Sequence, residues 1–142
     1  GRTMTELDEA SRLRPPDFDA AYIILGWASR EEMYARTDAR VDEMVSLGLF
    51  EEVRRLLDAG LGEGCTAMQA IGYKETAQAL LGELSPREAV ELIKLRSRRY
   101  AKRQLTWFRR NTQALDILWE GEPDFEYARA LSTKFFLGCG IS

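Results

Sequence analysis

The sequence predicts a mostly α-helical chain with one or two short strands. Three observations carry that prediction. Apolar residues recur at helical spacing in several stretches, each bounded by a residue type that caps helices. One short run, Tyr22, Ile23, Ile24 and Leu25, is apolar on both faces and ends at Gly26, the pattern of a buried strand. A second stretch, "ALDILWE", reads as another short strand late in the chain.

The totals fit that class. A chain of 142 residues forms one domain or part of a larger one. Apolar content of 45% argues against disorder. No run of about 18 apolar residues exists, so no membrane span is expected. The start, "GRTMTELDEA", lacks the apolar region of a signal peptide. Cys65 and Cys139 lie far apart without a metal-ligand spacing. They read as free thiols in a reducing cytoplasm. The sequence holds no histidine, which removes Ser-His-Asp and Cys-His mechanisms and every histidine metal site.

Taken in order, residues 1–20 read as irregular, because Pro15 and Pro16 push their predecessors out of helical geometry. The strand at 22–25 suits a central parallel position, yet the chain offers it few partners. Ser29 then caps a helix, with Glu31 and Glu32 in the first turn and Met33, Thr37, Val41, Met44 and Val45 as its inner stripe. Gly48 is the expected stop. A second helix at about 50–59 turns Phe50, Val53, Leu56 and Leu57 inward and ends at Gly60. Gly60, Gly62 and Gly64 follow a helix rather than a strand, with no Lys-Ser or Lys-Thr after them. They therefore read as a flexible connection, not a phosphate loop. A third helix is expected over 68–81, with Ala70, Ile71, Ala77, Leu80 and Leu81 among its apolar positions. The best helix spans 85–111. Ser85 is its N-cap, Pro86 its first residue and Glu88 completes a capping box. Ala89, Ile93, Ser97, Tyr100, Gln104 and Phe108 lie along one stripe. Residues 121–142 form a tail whose structure the pattern leaves open, with a short helix as one reading.

Charge is unevenly placed. The whole chain carries −3, yet residues 85–110 hold nine Lys or Arg against Glu88 and Glu91. That segment is +7 and the remainder −10, an asymmetry that points to an anionic partner. Arg96, Arg99, Arg103 and Arg110 share one helical face, with Arg98, Lys102 and Arg109 on a neighbouring row. Trp107 falls four residues after Arg103. Cations for phosphates beside a ring that stacks on a base are what RNA binding needs. The plainer alternative is a solvated helix whose aromatics are core. Elsewhere spacing alone decides less. Arg36 and Arg40 could clamp a pyrophosphate, but spacing favours surface pairing with Glu32 and Glu43. Asp38 and Asp42 could hold Mg²⁺ or act as acid and base, but spacing puts them on a polar face. In "QAIGYK", residues 69–74, Gly72 costs a helix interior about 1 kcal/mol relative to Ala.

The segments "REEMYARTDARVDEMVSLGLFEEVRRLL", "TAMQAIGYKE" and "RSRRYAKRQLTWFRRN", in that order, closely resemble the C-terminal part of the tRNA dimethylallyltransferases, also called tRNA isopentenyltransferases. "GRTMTEL" and "YIILGW" fit the same stretch, and the resemblance covers about 1–120. It implies a prenyltransferase that moves a dimethylallyl group from dimethylallyl diphosphate to N6 of adenosine 37 in tRNA. The implied fold is an α/β P-loop kinase-like core, with diphosphate and Mg²⁺ held by the P-loop. This sequence departs from the family there. It has no GxxxxGK[ST], no N-terminal aspartate base and no inserted domain, so it resembles a C-terminal fragment, inactive alone, with 21–120 as the C-terminal part of the catalytic core. The Mg²⁺ ligands, the base and the strand's sheet neighbours would lie in the missing half, leaving no catalytic or metal residue here. Carried over residue by residue, tRNA contacts fall on Gln69, Ala70, Ile71, Gly72, Tyr73 and Lys74, and on Lys102, Arg103, Gln104, Leu105, Thr106, Trp107, Phe108 and Arg109. Arg36 matches an arginine at the diphosphate. Lys74 stands where some members have arginine. The expected partners are the anticodon stem-loop, dimethylallyl diphosphate and the missing N-terminal half. The competing reading is a stand-alone RNA-binding or helical interaction module without catalysis.

Overall fold

Among the described residues, the α-helices start at a capping side chain (Thr3, Ser29, Ser85, Asp124) or at a glycine of positive φ (Gly48, Gly72). The computed structural model describes residues 3–13, 20–62 and 64–140. Helix α1, Met4–Leu13, occupies part of a segment expected to be irregular. The correction has a local cause. The Glu6 N–H donates to Thr3 Oγ1 at 3.3 Å and the Thr3 N–H donates to Glu6 Oε2 at 2.8 Å, a reciprocal cap that offsets the fraying of an exposed helix. Pro15 and Pro16 lie outside the described residues.

Strand β1, Ile23–Trp27, leads into α2, Arg30–Ser46, where Ser29 accepts from the Glu32 N–H at 2.9 Å. Gly48, at φ 101°, both stops α2 and opens α3, Leu49–Asp58. The left-handed conformation there is one that a side chain would strain. A 3-10 turn, Thr66–Gln69, precedes α4, Tyr73–Leu80. The single helix expected over 68–81 is thus broken at 70–72, because Gly72 sits at φ 103°. Helix α5, Pro86–Phe108, has the expected cap. The Glu88 N–H donates to Ser85 Oγ and the Ser85 N–H to the Glu88 carboxylate. Strand β2, Leu115–Trp119, is followed by α6, Phe125–Gly138, which Asp124 caps through the Tyr127 N–H. Here the tail left open by pattern is mostly one helix.

The two strands pair in parallel, Ile23 with Leu115 through Trp27 with Trp119. The strand expected to lack a partner therefore has one within the chain, reached by the long crossover through α2–α5. Parallel pairing requires such a crossover. Gly26 is buried beneath α5. A Cβ there would stand 3.3 Å from Leu118 Cδ2 and 3.9 Å from Leu105 Cδ2.

Two apolar clusters form. The larger joins Val41, Leu49, Val53, Met68, Ala77 and Ile93, one contribution at least from each of α2, α3, the 3-10 turn, α4 and α5. The smaller joins Ile117, Trp119 and Ala128 between β2 and α6. Among the described residues no helix is long and apolar enough to cross a membrane.

Candidate nucleic-acid interface

Helix α5 divides into two halves of different character. In the first half its cations are answered by acids from other helices. Lys94 Nζ lies 2.7 Å from Asp42, and Arg98 Nη1 lies 2.7 and 2.5 Å from the two oxygens of Asp38. The pairs Asp38–Arg98 and Asp42–Lys94 make α2 and α5 antiparallel. The hydrogen bond from Lys94 to Asp42 holds the Lys94 ammonium above its usual pKa, outweighing the opposing effect of burial. Arg96 pairs with Glu75, whose side chain is fully buried.

These contacts correct one expectation. Arg96 and Arg98 stand on the rows expected to face phosphates, but their charges are answered inside the fold. Asp38 and Asp42, which spacing puts on a polar face, are partners of α5 there. Among the described residues no group of three or more His, Cys, Asp or Glu could hold a metal ion.

The second half is different. Arg99, Lys102, Arg103, Arg109 and Arg110 make no ion pair among the described residues. Aromatic rings stand among them. Trp107 is 62% exposed, Tyr100 49% and Phe108 42%. Trp107 and Phe108 meet edge to face at 5.0 Å, and the Arg103 guanidinium lies 5.7 Å from the Tyr100 ring centre. Rings this large are normally buried, so their exposure beside unpaired cations makes a surface suited to stacking. Arg99, Lys102, Arg103, Thr106, Trp107 and Arg110 line one groove of about 500 Å³.

A second cavity, about 310 Å³, opens where β1 ends, α2 begins and α5 passes. Arg30, Lys102 and Arg109 converge there with Trp27 and Ser29, and Glu31 is the one acid in the lining. Crevices at the carboxyl ends of parallel strands are where α/β folds bind ligands. Trp27, Ser29 and Arg30 were missed by sequence reasoning. The strand-then-cap sequence "GWASR" held the signal, but only the crossover brings it to Lys102 and Arg109.

Arg36, on α2, stands over the other side of this junction. Its guanidinium lies 4.1 Å from the Trp27 ring centre, and Nη2 donates at 2.9 Å to both the Gly121 carbonyl and the Glu122 carboxylate. Glu32, one turn earlier, accepts from the Gly121 N–H at 2.8 Å. Arg36 is thus not paired with Glu32 as spacing favoured. Arg40 does pair at the surface with Glu43, at 2.6 Å.

The 69–74 segment sits apart from these cavities. Gln69 ends the 3-10 turn, Ala70, Ile71 and Gly72 form the break, and Tyr73 and Lys74 begin α4. The Tyr73 hydroxyl donates to Glu52 Oε1 at 2.5 Å, which with burial pushes its pKa up. Of the 102–109 set, Leu105 faces the sheet near Gly26, while Lys102, Arg103, Gln104, Thr106, Trp107, Phe108 and Arg109 are exposed.

The family model described as IPP transferase matches residues 1–111. A tRNA dimethylallyltransferase of Caldanaerobacter subterraneus subsp. tengcongensis is 44% identical over 138 residues, covering 96% of this chain and 42% of the relative. One of Geobacillus kaustophilus is 54% identical over 92 residues, 65% of this chain and 29% of the relative. The solved full-length tRNA isopentenylpyrophosphate transferase of Bacillus halodurans superposes with a TM-score of 0.78 at 34% identity, covering 94% of this chain and 43% of that one. The tRNA delta(2)-isopentenylpyrophosphate transferase of Staphylococcus epidermidis gives 0.75 at 34%, covering 94% and 42%. The chain spans about two fifths of the length of the first of these relatives.

Proposed function

The chain belongs to the IPP transferase family, and on that premise we propose that it is the RNA-gripping and diphosphate-facing part of a cytoplasmic tRNA dimethylallyltransferase. The substrates in this reading are dimethylallyl diphosphate and the anticodon stem-loop of a tRNA, with N6 of adenosine 37 as the acceptor. One observation carries the RNA assignment: five cations without acidic partners among the described residues stand on the last turns of α5 and the turn that follows, beside exposed Trp107, Phe108 and Tyr100. Phosphates supply the missing counter-charge, and the rings supply stacking surfaces for bases taken out of the helix. Flipping an adenine out costs a few kcal/mol, which such contacts offset.

Arg36, with Arg30 at the neighbouring cavity, serves the diphosphate in this reading. Departure of diphosphate builds negative charge on its oxygens, and guanidiniums held in place beforehand stabilise that charge. Trp27 and the Gly121–Glu122 turn hold Arg36 in such a position. In this reading the Mg²⁺ ligands and the base that takes the N6 proton come from elsewhere in the enzyme, and Asp38 and Asp42 serve α5. When bound, Mg²⁺ neutralises diphosphate oxygens. The P-loop and the base belong to the rest of the family's architecture.

Charge reversal of Lys102 and Arg103 to Glu tests the reading. Affinity for an anticodon stem-loop should fall at least tenfold, each lost phosphate contact removing a counterion-release contribution. Unchanged affinity would remove α5 as the grip.

A further inference from the structure

The basic groove of α5 adjoins a recess of a different kind, about 360 Å³ in volume. Tyr22 and Ile23 line it from the start of β1, Trp107 and Phe108 from α5, and Arg110 and Asn111 from the turn beyond. Trp107 and Arg110 belong to both linings. The groove is built on cations, whereas the recess has one cation and three exposed aromatic side chains. Tyr22, Arg110 and Asn111 lie outside the segments that the family resemblance assigns to tRNA.

Backbone hydrogen bonds fix the walls of this recess. The Leu115 N–H donates to the Tyr22 carbonyl at 2.9 Å, and the Asn111 N–H to the Phe108 carbonyl at 3.0 Å. The Asn111 side chain is oriented as well, because its Oδ1 accepts from the Gln113 N–H at 3.1 Å. An amide nitrogen cannot accept, so that bond settles which way the amide points. The two donors on Nδ2 are left, and no described residue takes them.

We infer that the recess is a base pocket: one unpaired nucleobase of the RNA stacks against its aromatic wall and turns an acceptor atom to Asn111 Nδ2, while phosphates lie in the basic groove. The inference rests on the RNA-binding reading above and deepens it by separating where a base is held from where phosphates are held. A nucleotide joins an anion to a planar apolar ring, and two adjoining grooves of those two kinds match that pair. An apolar protein segment would fill the recess and leave the neighbouring cations unanswered. The donors on Nδ2 select a carbonyl or ring-nitrogen edge, as on uracil or guanine, over an exocyclic amine. Walls fixed in advance raise affinity, because little remains to be ordered on binding.

The experiment measures the affinity of the chain for an anticodon stem-loop RNA by fluorescence anisotropy, and for the same RNA made abasic at one loop position at a time. It compares wild type with Tyr22→Ala, Asn111→Ser and the Lys102→Glu/Arg103→Glu pair, each checked for folding by circular dichroism. Asn111→Ser keeps an oxygen for the Gln113 N–H, so the turn survives while the donors to the recess are lost. One abasic position should weaken wild-type binding about tenfold, the scale of one stacked base. Asn111→Ser and Tyr22→Ala should weaken binding of the intact RNA about three- to tenfold and have no further effect on that abasic RNA. Neither should change the salt dependence, since no phosphate contact is lost, whereas the Lys102→Glu/Arg103→Glu pair should flatten it. Equal binding of the intact RNA and every abasic RNA overturns the inference, and so does a loss in Asn111→Ser that is the same on all of them. Should Tyr22→Ala not fold, Asn111→Ser decides alone. Self-association that Tyr22→Ala abolishes, with RNA binding intact, gives the recess to a second copy of the chain and overturns the inference. If the Lys102→Glu/Arg103→Glu pair weakens binding while Asn111→Ser does not, the base pocket alone falls. If that pair leaves binding unchanged, the RNA reading falls with it.

Discussion

Arg96, Arg98 and Arg99 are near neighbours on α5 and have three different surroundings. Arg96 meets a buried carboxylate, Arg98 a half-buried one, and Arg99 none. Helical spacing cannot separate them, because the acids come from α2 and α4. The same scale explains Thr76, a fully buried residue whose hydroxyl has no hydrogen-bond partner among the described atoms. A buried hydroxyl left unsatisfied costs about 1–3 kcal/mol. Thr76→Val should therefore raise unfolding free energy by about 1 kcal/mol in urea denaturation. A destabilised variant would mean the hydroxyl is satisfied. For Arg36, Glu122 is an exposed carboxylate seated where an anionic ligand would bind. Titration with inorganic pyrophosphate should show binding weakened by Arg36→Ala and strengthened a few-fold by Glu122→Ala, the scale of an exposed ion pair. Indifference to both would remove Arg36 from the diphosphate site.

At the scale of elements, caps were the most legible feature. Ser29, Ser85 and Gly48 mark the helix ends that sequence reading gave them, because a cap depends on three or four consecutive residues. The Thr3–Glu6 box is equally local, but the Pro-Pro pair that follows favours an irregular reading of the whole segment. The break at 70–72 was not legible, since a glycine inside an apolar pattern fits a helix and a turn equally well. Its φ of 103° lies in the region that favours glycine, and only the folded backbone reveals it. The Ser85 hydroxyl first, and the Ser85 backbone second, hold the Glu88 carboxyl below its ordinary pKa of 4.5. A depressed carboxylate contributes stability that is present above 4.5 and is lost as pH falls through its lower folded value. The start of α5 should fray in that acid window. In Ser85→Ala the Glu88 titration, followed by NMR, should move back up toward the ordinary value. No movement would show that the hydroxyl does not set it.

For the whole molecule, local pattern told less. Both strands were readable, but their pairing was not, since the whole crossover through α2–α5 separates partners such as Ile23 and Leu115. That pairing also builds the cavity of Arg30, Lys102 and Arg109, which no motif announces. Ile23, Leu25 and Leu118 remain exposed on the sheet. The net charge asymmetry was legible from the start, and the fold refines it. Lys94, Arg96 and Arg98 are balanced internally, so the field is concentrated on the final turns of α5. A concentrated field of unpaired cations has a thermodynamic signature in salt. Binding of an anticodon stem-loop, measured between about 50 and 200 mM salt, should follow a straight line of log affinity against log salt. For three to five neutralised phosphates its slope should be roughly −2 to −3.5, at about −0.7 per phosphate on single-stranded RNA. Lys102→Glu/Arg103→Glu should flatten that line. An affinity indifferent to salt, or a slope that the double variant leaves unchanged, would contradict the assignment of this surface to RNA.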